Sequence, residues 1–150
     1  MEAFLIVPVL GALLAWPATA ALDRRAGWVL AVVPAALFMV FIALSTQVAA
    51  GSVFTRHIPW APSLGVGIDL RLDGFSMLFG LLITGIGALV VIYAGAYMAE
   101  KPWRTRARFF TLILLFMGAM LGATLSDNLI SLFVFWELTS ILSFLLIGFE

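Results

Sequence analysis

The sequence contains no cysteine and a single histidine, and both shortages limit the chemistry that the chain can perform. Without cysteine, neither a disulfide nor a cysteine-ligated metal site can form. His57 alone does not supply the group of nitrogen ligands that a histidine-based metal site needs. We therefore predict no metal site, and no segment of the sequence indicates a flavin, a quinone, a cluster or any other cofactor.

Charge is the second shortage. Only 11% of the residues are Asp, Glu, Lys or Arg, whereas 64% are hydrophobic, and the formal net charge is zero. Soluble domains carry about 25% charged residues and are roughly half apolar. A net charge of zero gives no indication of a nucleic-acid partner. The composition instead predicts an integral membrane protein whose surroundings are the lipid bilayer.

The few charges are grouped, and they divide the chain into five long uncharged runs. The exceptions are Glu2, at the start of the sequence, and Glu137. Because an α-helix needs about 20 apolar residues to cross the hydrocarbon core of a bilayer, the runs predict an all-α membrane protein with about five transmembrane helices. Their predicted ranges are 3–22, 26–50, 74–99, 109–125 and 129–149.

The first run has an alternative interpretation as a signal peptide. It ends in Ala18-Thr19-Ala20, which is similar to a small-residue cleavage site. A signal peptide begins with basic residues, however, and here the second residue is Glu2. Cleavage would also place Arg24 and Arg25 outside the cell, against the distribution of the other basic residues. We therefore predict that the run is a retained helix.

Residues 51–72 are more polar than the apolar runs and follow a different pattern. Apolar and polar residues alternate from Val66 to Asp73, which is typical of a short β-strand. Pro59, Pro62 and Gly65 interrupt the approach to it. We predict a β-hairpin-like loop over the membrane surface, and we expect Asp73 to cap the third helix.

Basic residues are distributed unequally between the connections. The first and third connections hold six of them and the second and fourth only two; the six are Arg24, Arg25, Lys101, Arg104, Arg106 and Arg108. Since cytoplasmic connections carry the excess of Lys and Arg, the N-terminus is predicted outside and the end of the fifth helix inside. For the Lys101–Arg108 cluster we favour this topological role over binding of anionic lipid headgroups.

Glu137 is the only ionisable residue inside the fifth run. It lies eight residues after Leu129 and twelve before Phe149, so it is about 12 Å from one end and about 18 Å from the other. An acidic residue near the centre of a membrane helix costs about 2.5–3.5 kcal/mol. A membrane helix retains an acidic residue when its charge is neutralised, when it pairs with another group, or when it takes part in the function of the protein.

Two interpretations of Glu137 follow. Removal from water favours the neutral form of a carboxyl group, so Glu137 is suited to bind and release a proton, and relays of such groups carry protons through pumps and transporters. Ser140 and Ser143 lie about 60° and 120° from it around the helix and can hydrogen-bond the carboxyl group or hold water. Alternatively, Glu137 ties the helix to a neighbour. No basic residue lies inside another predicted span, so an ionic partner is missing.

The turn Ser126-Asp127-Asn128 is so short that the fourth and fifth helices must be antiparallel neighbours. Asp127 is a candidate for the outer opening of a proton path, although a residue of this type also caps helices. His57, in the polar loop, is predicted to be solvated. The G-x-x-x-G pattern of Gly118 and Gly122 predicts the close approach of another helix.

Three stretches carry a resemblance to a known family: RLDGFSMLFGLLITGIGALVVIYAGAYM, FFTLILLFMGAMLGATLSDNLISL and FVFWELTSILSFLLIGFE. They resemble the A-type subunits of the Mrp-type multisubunit sodium/proton antiporters. The wider superfamily includes antiporter-like subunits of respiratory complex I and of membrane-bound hydrogenases. The resemblance is strong over residues 66–150, and residues 1–65 agree in layout. FWELTS is closer to the Mrp A type than to the L-type subunits of complex I, which usually have W-E-G here.

The resemblance implies a proton-translocating subunit of a secondary transporter, not an enzyme, that exchanges protons for Na+ or another monovalent cation. It implies other membrane subunits as partners in a hetero-oligomeric complex in a bacterial plasma membrane. By motif, Glu137 matches the family's glutamate that pairs with a lysine on the seventh helix. This sequence ends after the fifth run, so we expect residues 1–150 to be the N-terminal transmembrane part of a longer subunit, truncated here.

Two alternatives remain open from the sequence. The first is an antiporter-like subunit of a complex I or hydrogenase assembly, which neighbouring genes would distinguish because the two machines are encoded with different partners. The second is a scaffold that helps to assemble such a complex without transporting ions. For a scaffold, we expect Glu137→Ala to leave transport intact.

Overall fold

The computed structural model describes residues 1–61 and 66–149, which form long helices and one antiparallel hairpin. The elements are α1 (Ala3–Leu22), α2 (Ala26–Leu30), α3 (Val32–Ala49), β1 (Phe54–Ala61), β2 (Val66–Leu72), α4 (Gly74–Tyr97), α5 (Trp103–Leu125) and α6 (Leu129–Ile147). In these ranges, five helical segments are long and apolar enough to cross a membrane, with α2 and α3 counted as one. The predicted fold class is confirmed. The hairpin turn, with Pro62 and Gly65, and Glu150 lie outside the described residues.

The second span is interrupted at Ala31, between α2 and α3. Pro34 has no N–H group to donate to the carbonyl group four residues earlier, at Leu30, so the hydrogen-bond ladder is broken here. α1 contains Pro8 and Pro17 and nevertheless remains one continuous helix. Membrane helices can tolerate proline because the freed carbonyl group is satisfied locally. Of these three prolines, only Pro34 lies beside a break in its helix.

The fourth span begins earlier than the sequence predicts. The end of the charged cluster predicts a start at Phe109, whereas α5 begins at Trp103, directly after Pro102. Charge alone does not end a helix, because arginine is a good helix former, and the first turns of α5 are amphipathic. Arg104 and Arg108 are exposed, whereas Arg106 is buried.

α5 is the central helix and packs against α1, α4 and α6. Half of its apolar segment is buried inside the structure, compared with 11% of the corresponding segment of α6. Phe110, Leu114 and Leu121 have almost no exposed surface. α6 is therefore the least covered of the spanning helices, and it packs mainly against α5 and β2.

Glycine permits the closest helix contacts. A Cβ atom on Gly27 would lie 2.6 Å from the Cα of Gly95, so α2 and α4 touch through their backbones. The predicted close approach at the G-x-x-x-G pattern of α5 is confirmed, but it involves two partners. Gly118 faces Pro8 of α1, and Gly122 faces the ring of Phe135 on α6.

The connections are gathered at two opposite ends of the helices. At one end, Arg106 of α5 donates a hydrogen bond to the Asp23 carboxylate after α1. At the other end, the backbone of Leu70 on β2 is bridged to Ser126, in the turn between α5 and α6. The connection after α1 thus lies at the same end as the start of α5, and the hairpin lies over the other end.

The predicted hairpin is confirmed. β1 and β2 are antiparallel, with Phe54 opposite Leu72 and His57 opposite Asp69. Leu70 and Leu72 are buried beneath it. Immediately after β2, the carboxylate of Asp73 accepts hydrogen bonds from the first backbone N–H groups of α4, so the predicted cap is also confirmed.

Candidate proton-binding site

Glu137 lies near the middle of α6, on a face that the described helices leave uncovered. Its side chain is exposed and lines a surface depression of about 460 Å³ together with Leu132 and Trp136. Within residues 1–61 and 66–149, its carboxylate has no hydrogen-bond or ion-pair partner. The site is thus a single unpaired carboxyl group, halfway along an apolar helix.

Ser140 and Ser143 lie in an adjacent groove of about 620 Å³ between α4, α5 and α6. Its walls combine aromatic rings with hydroxyl groups; the lining residues include Phe75, Phe79, Phe116, Thr124, Trp136, Thr139, Ser140 and Ser143. The Ser140 hydroxyl donates to the carbonyl oxygen of Trp136 at 3.2 Å. Trp136 lines both cavities, so Glu137 and the two serines are neighbours that the structure does not bring into contact.

Asp127 lies at the hairpin end, and the suggestion that it caps α6 is wrong. The cap is Asn128, whose side-chain oxygen accepts a hydrogen bond from the Ser131 N–H at 2.7 Å. The Asp127 carboxylate instead lies 3.9 Å from Nη1 of Arg71. With Arg71, it lines a polar depression that shares Thr124 with the hydroxyl-bearing groove.

Two other aspartates at this end have specific hydrogen-bond partners. The His57 side chain is 64% exposed, as predicted, and its Nδ1 atom also lies 2.5 Å from Asp69. Hydrogen bonds from His57 and then from Asn128 hold the pKa of Asp69 below its usual range. The pKa of Asp73 is also lowered, chiefly by the backbone N–H of Ser76.

Arg106 is the clearest polar feature at the opposite end of the bundle. Its side chain is only 3% exposed, and it pairs with Asp23, which is 70% exposed. Within the described ranges, its Nε and Nη1 atoms have no hydrogen-bond partner. The cluster from Lys101 to Arg108 therefore contains one arginine with a packing role that composition alone did not reveal.

Sequence reasoning found the carboxylate inside the membrane run but missed the contacts of Asp69 and Asn128. A usable signal existed for Asn128, because it immediately precedes an apolar run, as an N-cap does. No local signal pairs Asp69 with it, since 59 residues separate the two. Among the described residues, no group of three or more His, Asp or Glu side chains is placed to hold a metal ion.

The fold and the mid-helix carboxylate together define a class: multi-pass membrane proteins with an acidic group halfway along one apolar helix. Comparison with known proteins narrows that class. Residues 58–110 match the family described as NADH-Ubiquinone oxidoreductase (complex I), chain 5 N-terminus.

Curated relatives cover most of the chain. A probable K(+)/H(+) antiporter A/B subunit of Rhizobium meliloti (strain 1021) is 48% identical over 99% of this chain. The A-type Na(+)/H(+) antiporter subunit of Alkalihalophilus pseudofirmus is 50% identical over 82% of it. The chain spans about 15% of the length of each of these relatives.

Solved structures agree with the sequence relatives. The Mrp complex from Dietzia sp. DQ12-45-1b contains a chain that superposes with a TM-score of 0.78 at 29% identity, covering 95% of this chain and 15% of that one. The archaeal membrane-bound sulfane sulfur reductase gives the same TM-score at 20% identity, which shows a shared fold alone. The predicted resemblance is confirmed: the chain is related in sequence and fold to the A-type subunits of Mrp antiporters, which are named as transporters.

Proposed function

We propose that the chain contributes the proton-binding group Glu137 to a multisubunit antiporter that exchanges protons for a monovalent cation. The observation that carries this proposal is the unpaired Glu137 carboxyl group, midway along the least covered of the described helices. Keeping an ionisable group at such a depth without a partner is costly. The cost is understandable if the group takes up and releases a proton during transport.

The identity of the cation is proposed by chemical class. The names of the relatives include both Na+ and K+, so the substrate is a small alkali cation, with Na+ as the first candidate. In the proposed mechanism, a cation or a neighbouring ammonium group approaching Glu137 favours its ionised form and drives the proton onward. Withdrawal of that positive charge restores the neutral acid.

Ser140, Ser143 and Asp127 are proposed as supporting groups. The two serines line the groove that Trp136 also lines, where their hydroxyls can hold water. Asp127 lies in the polar depression that adjoins this groove. Together they would form a hydrated approach from the hairpin end of the bundle.

The proposal extends to the setting of the chain. The lengths of the relatives support residues 1–150 as the N-terminal transmembrane part of a longer subunit. Other membrane subunits would complete the complex in a bacterial plasma membrane, as in the solved Mrp complex. The excess of basic residues at the Asp23–Arg106 end supports an external N-terminus.

Glu137→Gln in the assembled complex tests the proposal, because glutamine has nearly the same shape but cannot carry the proton. We expect a loss of cation-induced proton movement in everted membrane vesicles, to about 1% of wild type or less. Glu100→Gln, an exposed carboxylate next to α4, is the matched control and should retain activity. Normal exchange in Glu137→Gln, at normal complex levels, would disprove the role.

One alternative has a specific observation in its favour. The family matched by residues 58–110 is described as a complex I component, which suits an antiporter-like subunit of a respiratory assembly. Purification of the native complex distinguishes the two, because a respiratory assembly brings redox subunits with it. A scaffold without transport would tolerate Glu137→Gln, while deletion of the chain would destabilise its complex.

A further inference from the structure

Asp69 lies on β2, outside the membrane-spanning helices, and it holds the start of α6 through three kinds of contact. Its carbonyl oxygen accepts a hydrogen bond from the Asp127 N–H at 2.8 Å. Its own N–H donates to the Ser131 hydroxyl at 3.3 Å. Its carboxylate accepts from the side-chain amide of Asn128 at 2.5 Å. Both the backbone and the side chain of Asp69 therefore hydrogen-bond to the start of α6.

Asn128 links this junction to the helix itself. Its side-chain oxygen caps α6 by accepting from the Ser131 N–H at 2.7 Å. Its side-chain nitrogen donates to the Asp69 carboxylate and also, at 3.0 Å, to the carbonyl oxygen of Gly67. Because one amide group serves both as the cap and as the tie, the first turn of α6 is fixed in depth and in rotation relative to β2.

The Asp69 side chain is held from its other side as well. Its second carboxylate oxygen is 2.5 Å from the imidazole of His57 on β1. A Cβ atom on Gly67 would collide with that imidazole, so glycine lets the ring lie across β2. The ionisable groups around Asp69 are His57 on β1, Asp127 in the turn before α6, and Arg71 two residues along β2.

This junction matters because α6 has few other supports. It packs mainly against α5 and β2, and Glu137 lies nine residues beyond Asn128, about 14 Å along the helix axis. A helix moves as a stiff rod over that distance. Displacement or rotation of its first turn therefore carries Glu137 with it.

We propose that Asp69 is a positioning residue for proton exchange, which through Asn128 sets the depth and rotation of α6 and so the place of the Glu137 carboxyl group. This role rests on the proposed function of Glu137. Asp69 itself exchanges no proton in this role, and it acts only through the helix that it holds.

Exchanging the two partner groups tests the idea. Asn128→Asp keeps an equally good cap, but it removes the amide donor and sets two carboxylates against each other. Asp69→Asn keeps an oxygen that Asn128 can use. The double variant Asp69→Asn/Asn128→Asp again pairs an amide with a carboxylate, with their positions exchanged, while the carboxylate introduced at position 128 retains an oxygen for the cap.

We expect Asn128→Asp, in the assembled complex, to shift the pH midpoint of cation/proton exchange by about half a unit or more. Hydrogen–deuterium exchange of residues 126–134 should also become faster. Asp69→Asn should change both quantities little, and the double variant should return both towards wild type. Glu100→Gln is the control for an unrelated exposed carboxylate.

A purely structural role predicts a different result. Asn128→Asp would then lower the rate only in proportion to the amount of complex, with an unchanged pH midpoint, and that outcome overturns the inference. Failure of the double variant to recover also overturns it. Failure of the proposed function is recognised separately, by full activity of Glu137→Gln, and the hydrogen-exchange measurement still decides whether Asp69 positions α6.

Discussion

Three carboxylates of this chain, those of Asp73, Asp69 and Glu137, lie in different settings. Asp73 is bound by backbone N–H groups at the start of α4, and Asp69 by side chains of β1 and of the α6 cap. Glu137 has no such partner in the described residues. The first two are ionised acceptors with defined donors. Glu137 is the one of the three without a defined donor among the described residues, which is why the proposed transport step is assigned to it.

The Asp73 cap gives stability a specific dependence on pH. Its pKa lies below the ordinary 3.8 in the folded chain, so its contribution is complete above about pH 3.8 and is lost as the pH falls through the lowered value. We expect thermal stability of the detergent-solubilised complex to fall more steeply with acid in the wild type than in Asp73→Asn. The asparagine still caps the helix but has no carboxylate to protonate.

Asp73→Ala supplies the comparison, because it removes the cap at every pH and should cost about 1 kcal/mol. Unfolding midpoints measured from neutral pH down to about pH 3 provide the readout. Equal acid sensitivity in the wild type and Asp73→Asn would show that the cap charge contributes nothing.

At the scale of elements, the helices differ most in how well they are covered. α5 is enclosed by its neighbours, whereas α6 presents most of its surface outward. α2 and α4 are in direct backbone contact, because Gly27 and Gly95 leave no side chains between them. A side chain at either glycine would therefore push α2 and α4 apart.

Gly27→Ala should lower stability by about 1–3 kcal/mol, since the new methyl group would meet the backbone of Gly95, which cannot move aside cheaply. Gly74→Ala is the matched control, because nothing lies within 4 Å of the corresponding position at the start of α4. Thermal unfolding of the two variants in detergent measures the difference. Similar midpoints would mean that α2 and α4 can separate without loss.

Much of the architecture could be predicted from the sequence because membrane spans are defined by local composition. The apolar runs, the alternating strand at residues 66–72 and the Asp73 cap depend on near neighbours, and the structure confirms them. The predicted start of α5, at Phe109, is too late because the prediction assumes that the charged residues before it lie outside the helix. Local patterns could not reveal the pairing of Asp69 with Asn128, or of Asp23 with Arg106, because both join distant segments. The role of Glu137 stays a prediction.

In the whole molecule, the basic connections after the first and third spans lie at one end of the helices, and the hairpin lies at the other end. The Asp23–Arg106 contact joins the two basic connections, and the hairpin joins the turn before α6 through the Leu70–Ser126 bridge. The charge rule predicts the basic end in the cytoplasm, and it therefore predicts the hairpin and the N-terminus outside.

Cysteine labelling tests this orientation. A membrane-impermeant maleimide should label Thr55→Cys, exposed on the hairpin, in intact cells. Glu100→Cys, exposed near the basic end, should be labelled only in everted vesicles. The reverse pattern would place the N-terminus inside and would refute the proposed orientation.

The contact between Asp23 and Arg106 also has a consequence for biosynthesis. The two residues are 83 positions apart, and at roughly 5–20 residues per second the ribosome needs about 4–17 seconds to pass from one to the other. During that interval α1 is already made, while α5, its main packing partner, is not. Until then the first helix has only its own apolar surface and its smaller contacts with α2 and α3 to hold it in the bilayer, and its contacts with α5 form when the fourth span emerges.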